Sequence, residues 1–187
     1  MAVAQRMSEQ EYQEFVLSGV EGVWELHDGV LVEKSGMGWE HGEFTTFLAH
    51  LLIRQLDRRQ FSVAVNDWFA RRSPATVYVP DIIVAPYDYG RELRGRPGAL
   101  AIFSDPLPLV VEVWSRSTGS YDVNAKLPVY MQRGDLEIWR VPPYERTLTS
   151  WVRQPDGSYR ETVYHGGIVA LAALPSVEID LDELFDV

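Results

Sequence analysis

Val77-Tyr78-Val79-Pro80-Asp81-Ile82-Ile83-Val84-Ala85 and Leu107-Pro108-Leu109-Val110-Val111-Glu112-Val113-Trp114 are the two stretches that decide how this chain folds. Both are apolar and rich in β-branched residues, so both read as strands of an interior sheet. Each carries one carboxylate, Asp81 and Glu112, thirty-one residues apart. An ionised acid in apolar surroundings is costly unless it is paired, hydrogen-bonded or bound to a cation. Pro80 has no ladder donor and belongs at a sheet edge, a bulge or a strand start, where the next side chain leaves the regular pleat. Ordinary structural roles compete with a functional one. Asp81 would cap backbone amides at a strand bend, and Glu112 would face water from a strand end.

Asp122 and Lys126 follow the second strand, four apart on a predicted helix over Tyr121–Arg133, and therefore share a face. Tyr130 lies one turn further on that face. Pro128 sits inside the helix and predicts a kink or a late start, and Gly134 predicts its end. An exposed Asp122–Lys126 ion pair is the plain alternative to a lysine leaning over the sheet. Glu25, beside the Asp28-Gly29 turn, and His41, at the start of a long helix, complete the candidate set. Two buried acids with a lysine close behind point to a hard-cation site for phosphodiester chemistry.

The remaining chain supplies a frame. Ser8-Glu9-Gln10-Glu11 has the form of a capping box for a short first helix. Glu21–Glu33 alternates around Asp28-Gly29 and reads as a hairpin. Gly36–Glu40 reads as a loop. Phe44, Phe47, Leu48, Leu51, Leu52 and Leu56 have helical spacing within His41–Asp57. Phe61–Ala70 and Glu137–Val141 read as strands, Tyr87–Ala101 as a loop, and Thr147–Val152 with Tyr159–Tyr164 as a hairpin around Pro155-Asp156-Gly157. Ser176–Val187 reads as an acidic tail with apolar anchors. One mixed domain over 1–187 is expected, with a central, largely antiparallel or mixed sheet.

The chain has 187 residues, of which 46% are hydrophobic and 24% charged, enough for a sizeable core. It has no Cys, which excludes disulfides, thiolate zinc sites and cysteine nucleophiles. Met1–Met7 lacks a secretory apolar core and no apolar run approaches membrane-spanning length, so a cytoplasmic protein is expected. The net charge of -10 argues against indiscriminate nucleic-acid binding. Arg54 and Arg58, then Arg71 and Arg72, are the candidate DNA contacts, with solvated surface charge as the competing role. His27, His50 and His165 show no ligand spacing. No GxxxxGK, GxGxxG or GxSxG motif occurs, and Ser115, Ser117 and Thr118 lack a nearby His to activate them.

In this order, Trp24-Glu25-Leu26-His27-Asp28-Gly29, His41, Pro80-Asp81, Leu109-Val110-Val111-Glu112-Val113-Trp114-Ser115, Ser117-Thr118, Asp122, Lys126, Tyr130 and Gly134 to Ile138-Trp139 resemble the restriction endonuclease family often labelled Uma, within the PD-(D/E)xK superfamily. The likeness runs from Met7 to about Phe185. It implies an α/β (α+β) restriction endonuclease-like core, a central mixed β-sheet flanked by helices, with additional hairpins. It also implies Asp81 and Glu112 as ligands of Mg²⁺ or Mn²⁺. The superfamily's usual lysine lies two residues after the acid, a position held here by Trp114; Lys126 from the next helix matches the family's substitute. The expected activity is that of a divalent-metal-dependent DNA endonuclease acting as a homodimer, with Trp139, Trp151 and Tyr164 as candidate contact residues. The alternatives are a catalytically inactive module of the same fold that binds nucleic acid or protein, and a small-molecule hydrolase using the same carboxylates.

Overall fold

Ser8 accepts a hydrogen bond from the Glu11 amide while the Glu11 side chain returns to the Ser8 amide, so helix α1 (Glu9–Leu17) opens with the expected reciprocal cap. The structure, a computed structural model, describes residues 6–34, 38–114 and 122–186, with 122 and 123 described by backbone alone. Asp28 and Gly29 both take left-handed φ, 48° and 80°. A two-residue turn between twisted strands requires this, and β1 (Val23–His27) pairs antiparallel with β2 (Val30–Lys34). Helix α2 (Trp39–Ile53) starts before His41 and ends before Asp57. Trp39 and Glu40 are therefore helical and not part of a loop, while residues 36 and 37 of that expected loop lie outside the described residues.

Two expected strands divide. Phe61–Ala70 becomes β3 (Phe61–Val65) and β4 (Phe69–Ser73), and Val77–Ala85 becomes β5 (Thr76–Tyr78) and β6 (Ile82–Pro86). In each case the halves belong to different sheets. The first break falls at Asn66, whose φ is 51°. The second falls at Val79-Pro80-Asp81, where proline cannot extend a ladder. The breaks adjoin, since the Asn66 amide donates to Asp81 O at 3.0 Å. With β7 (Ile102–Phe103), one sheet has the order β2-β1-β5-β4-β7. The other has the order β11-β10-β9-β8-β6-β3, using β8 (Leu109–Val113), β9 (Glu137–Val141), β10 (Leu148–Arg153) and β11 (Tyr159–Tyr164). The β4–β7 and β8–β9 pairs are parallel and the rest antiparallel, so both sheets are mixed.

The six-stranded sheet is covered on both faces. Phe44, Leu48, Leu51 and Leu52 of α2 pack on Ile82, Val84, Leu109, Val111 and Val113. The other face sets Ile83, Val110 and Ile138 against Val129 and Tyr130 of α3 (Leu127–Arg133). Every residue of β8 is consequently buried, and the strand reads as an apolar run without alternation that Glu112 alone interrupts. Helix α3 starts late, as Pro128 foretells. Asp122–Lys126 form a π-type turn, Pro128 occupies the first α turn, where its missing N–H breaks no helical hydrogen bond, and Gly134 closes the helix at φ 81°. Trp139 and Trp151, candidates for a contact between copies, are instead buried in the core.

The acidic segment at the end is integral to the core. Residues Glu178–Asp180 (β13) pair with Ile168–Ala170 (β12), and α4 (Leu181–Leu184) follows. Val177, Ile179, Leu181 and Leu184 join the cluster under α2, and the acids between them face water. Burying four such side chains, at about 1.5–3 kcal/mol each, outweighs what the solvated carboxylates cost. Among the described residues no helix is long and apolar enough to cross a membrane.

Two phenols tie elements together. Tyr12 Oη donates to Trp24 O at 2.6 Å and Tyr159 Oη donates to Asp135 O at 2.7 Å. Burial, then the neighbouring Asp135 charge, pushes the Tyr159 phenol up to about 12. The folded state thus keeps a proton that the unfolded chain releases near pH 10. This contribution is present in full below about pH 10 and is lost as pH rises towards 12. Urea midpoints across that window should fall less steeply for Tyr159→Phe than for wild type. Parallel curves would show that the phenol does not contribute.

Candidate active site

The Val79-Pro80-Asp81 crossover leaves Asp81 at the seam between the sheets, 1% exposed. The β6–β8 ladder ends with Ile82 opposite Val111, and Asp81 lies one residue beyond that end. Its Oδ2 accepts the Val113 amide at 2.7 Å and its Oδ1 lies 2.7 Å from Lys34 Nζ. Lys34, the last residue of β2, also donates to Val79 O at 2.8 Å and Asn66 Oδ1 at 3.0 Å, so all three ammonium protons are used. His41, in the first turn of α2, places Nε2 3.4 Å from Asp81 Oδ2 and 3.0 Å from Val113 O. Burial pushes the Asp81 carboxyl up, but the Lys34 charge and the His41 contact outweigh it and hold the group well below the usual carboxylate range.

Glu112, 4% exposed, shares the face of Val110 that packs under α3. Its Oε1 accepts Tyr130 Oη at 2.5 Å and lies 3.3 Å from Lys126 Nζ. Lys126 itself is 1% exposed and lies 2.9 Å from Glu25 Oε1, which also accepts the Val79 amide at 2.9 Å. The π-type turn delivers Lys126 inward, and Tyr130 follows four residues later on the same face. Tyr78 forms the floor, with its ring centroid 5.8 Å from Lys126 Nζ and its ring perpendicular to that of Tyr130.

One residue joins the two groups through its backbone. Val79 gives its N–H to Glu25 and its C=O to Lys34. The structure therefore collects Asp81, Glu112, Lys126, Glu25, His41 and Tyr130 in one buried network. Glu112 is not a strand end facing water, and Lys126 is not a surface residue. The expected Asp122 partner has a side chain outside the described residues, as do Ser115, Ser117 and Thr118. The arginines are elsewhere. Arg54 and Arg58 lie past the far end of α2, roughly 20 Å along the axis from His41, and Arg54 pairs with Glu183 at 3.7 Å. Arg71, beside Arg72 on β4, pairs with Glu9 at 2.8 Å. Lys34, Asn66 and Tyr78 had no signal in the sequence, because the sheet crossover alone brings them to the site.

The chain matches, over residues 10–182, the family model Uma2, described as "Putative restriction endonuclease". The chain belongs to the Uma2 family. A solved structure titled as a putative nuclease belonging to DUF820 from Anabaena variabilis ATCC 29413 has the same fold, with a TM-score of 0.75 at 16% identity over 96% of this chain and 98% of that one. Among curated proteins none matches.

A divalent cation bound by this network would find its donors among these groups. The donor set is hard, carboxylate with one imidazole, which suits Mg²⁺ or Mn²⁺ better than a thiophilic metal. Among the described residues no group of three or more His, Asp and Glu is arranged to hold an ion as it stands. Instead Lys34 neutralises Asp81, and Lys126 lies between Glu112 and Glu25. Glu25 Oε2 is buried with no hydrogen-bond partner among the described residues. A carboxylate oxygen in that condition leaves a coordination position open, so donor chemistry and this orphaned atom fit a cation.

Proposed function

We propose that this Uma2 chain is a divalent-metal-dependent DNA endonuclease that hydrolyses phosphodiester bonds, with Asp81, Glu112 and Lys126 as its catalytic set. The observation that carries this reading is the burial of those three residues, from a sheet crossover, a central strand and a helix start, in one network. Asp81 and Glu112, with Glu25 beside them, would hold Mg²⁺ or Mn²⁺, which would supply positive charge for the phosphate and acidify the attacking water. Lys34 and His41 keep Asp81 ionised and fixed. Tyr130 orients Glu112. The Lys126 ammonium is the donor that orients the water and meets the charge developing on the phosphate. The water oxygen bonds to phosphorus, the bond to the leaving sugar oxygen breaks, and that oxygen takes up a proton. A homodimer is the assembly this reading expects, since two strands need two cuts.

A second reading, a catalytically inactive module of the same fold that binds nucleic acid or protein, is favoured by the lysine already neutralising each acid. Plasmid DNA incubated with purified protein and Mg²⁺ or Mn²⁺ separates the two. The nuclease nicks or linearises the plasmid, EDTA stops it, and Asp81→Asn, which keeps an acceptor for the Val113 amide, does not cut. An intact plasmid in both metals leaves the binding module.

A further inference from the structure

The two large sheets end in edge strands, whose outward N–H and C=O groups can pair with another chain. Proteins guard such edges with charge or keep them short. β11 carries Arg160 and Glu161, β2 carries Glu33 and Lys34, and β7 has only two residues. β3 has neither guard. Phe61-Ser62-Val63-Ala64-Val65 is five residues long, uncharged and half-buried throughout, and it ends the six-stranded sheet. Gln60 O accepts the Tyr87 amide and the Asn66 amide donates to Asp81 O, so residues 60, 62, 64 and 66 direct their main-chain groups at β6. That direction alternates along an antiparallel strand, which turns Phe61, Val63 and Val65 outward. Asp57 O takes the Phe61 amide at 2.9 Å, and no hydrogen bond among the described residues reaches the outward groups of Val63 and Val65.

The residues at the two ends of this edge select what covers it. A second copy laid antiparallel about a two-fold axis at Val63 sets Val63 against itself, Phe61 against Val65 and Ser62 against Ala64. Further out, it sets Gln60 against Asn66 and Arg59 against Asp67. Arg59 and Asp67 are exposed, and neither has an ion pair among the described residues. The operation that pairs the uncharged strand therefore also brings opposite charges together at both ends. Moving the axis by one residue sets Arg59 against Val65 or Asp67 against Phe61, and the match is lost. We propose that β3 pairs with β3 of a second copy in the Val63 register, joining two six-stranded sheets into one across an isologous interface. In each direction the Val63 amide donates to Val63 O, and the Val65 amide to Phe61 O. The inference goes beyond the nuclease reading and does not need it. Where that reading holds, the expected homodimer gains a surface, and Asp81, bonded through its carbonyl to Asn66, lies roughly 25 Å from its counterpart.

The test is sedimentation equilibrium with amide hydrogen exchange, on the full chain without DNA or metal. The protein should be a dimer at micromolar concentration. Its Val63 and Val65 amides should exchange slowly in the dimer and fast once dilution separates the copies. Arg59→Glu should weaken the dimer by about tenfold, because two matched pairs become two repulsive ones. Arg59→Glu/Asp67→Arg should restore it. Both residues are exposed, and matching thermal melts verify that the variants fold. A monomer at micromolar concentration overturns the proposal, as does a dimer whose Val63 amide exchanges as fast as in the monomer. So does a dimer that Arg59→Glu leaves unchanged, or one that the charge swap fails to restore, since either would place the contact on another surface or in another register. Plasmid cutting is scored separately. Cutting by a monomer keeps the nuclease and removes this interface, whereas a β3-paired dimer that does not cut does the reverse.

Discussion

Lys126→Ala is expected to lower the unfolding free energy by about 3–5 kcal/mol, because it leaves Glu25 and Glu112 buried together without their shared ammonium. Urea denaturation measures this. The loss should shrink when Glu25→Gln is added, since an amide keeps an acceptor for the Val79 amide and removes one of the two charges. A loss below about 1 kcal/mol, independent of Glu25, is what an exposed lysine would give, and would contradict the buried placement. The result bears on how activity is tested. A Lys126→Ala variant that fails to cut says little, because the fold beneath it is weakened. Cutting is better compared between Glu25→Gln and Glu25→Gln/Lys126→Ala, at a temperature where both are folded.

Asp81→Ala is expected to cost a similar amount, about 3–5 kcal/mol, for the opposite reason. It leaves the Lys34 ammonium, 6% exposed, without its counter-ion, and the Val113 amide without its acceptor. Adding Lys34→Met should restore much of the stability, giving a coupling of about 2 kcal/mol or more in the double-mutant cycle. Additive losses would show that the two charges do not depend on one another. Nuclease activity should stay absent in the stabilised double variant, which separates the part Asp81 plays in the fold from the part proposed for it in the reaction.

The sequence made the local devices legible: the Ser8 cap, the Asp28-Gly29 hairpin, the α2 stripe and the Gly134 stop are written in neighbouring residues. Asp81 and Glu112 stood out because carboxylates in apolar runs need a reason. What remained hidden depends on non-local pairing. Pro80 marks an edge or a break, but nothing near it or near Asn66 says that the halves of two continuous-looking strands go to different sheets. Once that is missed, Lys34 has no reason to be placed beside Asp81. The acidic end of the chain was legible in part, for a related cause. Its apolar anchors Val177, Ile179 and Leu181 stand out between the charges, whereas the pairing with Ile168–Ala170 is non-local.

The crossover at Val79-Pro80-Asp81 also has a consequence for timing. The links that meet there join residues far apart in the chain, with separations of 54 for Val79–Glu25, 47 for Lys34–Asp81 and 32 for Val113–Asp81. Loop-closure entropy is spent before such contacts form, so they belong late in folding. Until both sheets are in place, the acids and lysines stay hydrated and unmatched. The last surface to lose its water as the chain folds is then the one assigned to chemistry, and a chain stalled short of the native state would carry its hairpins and helices but no assembled site.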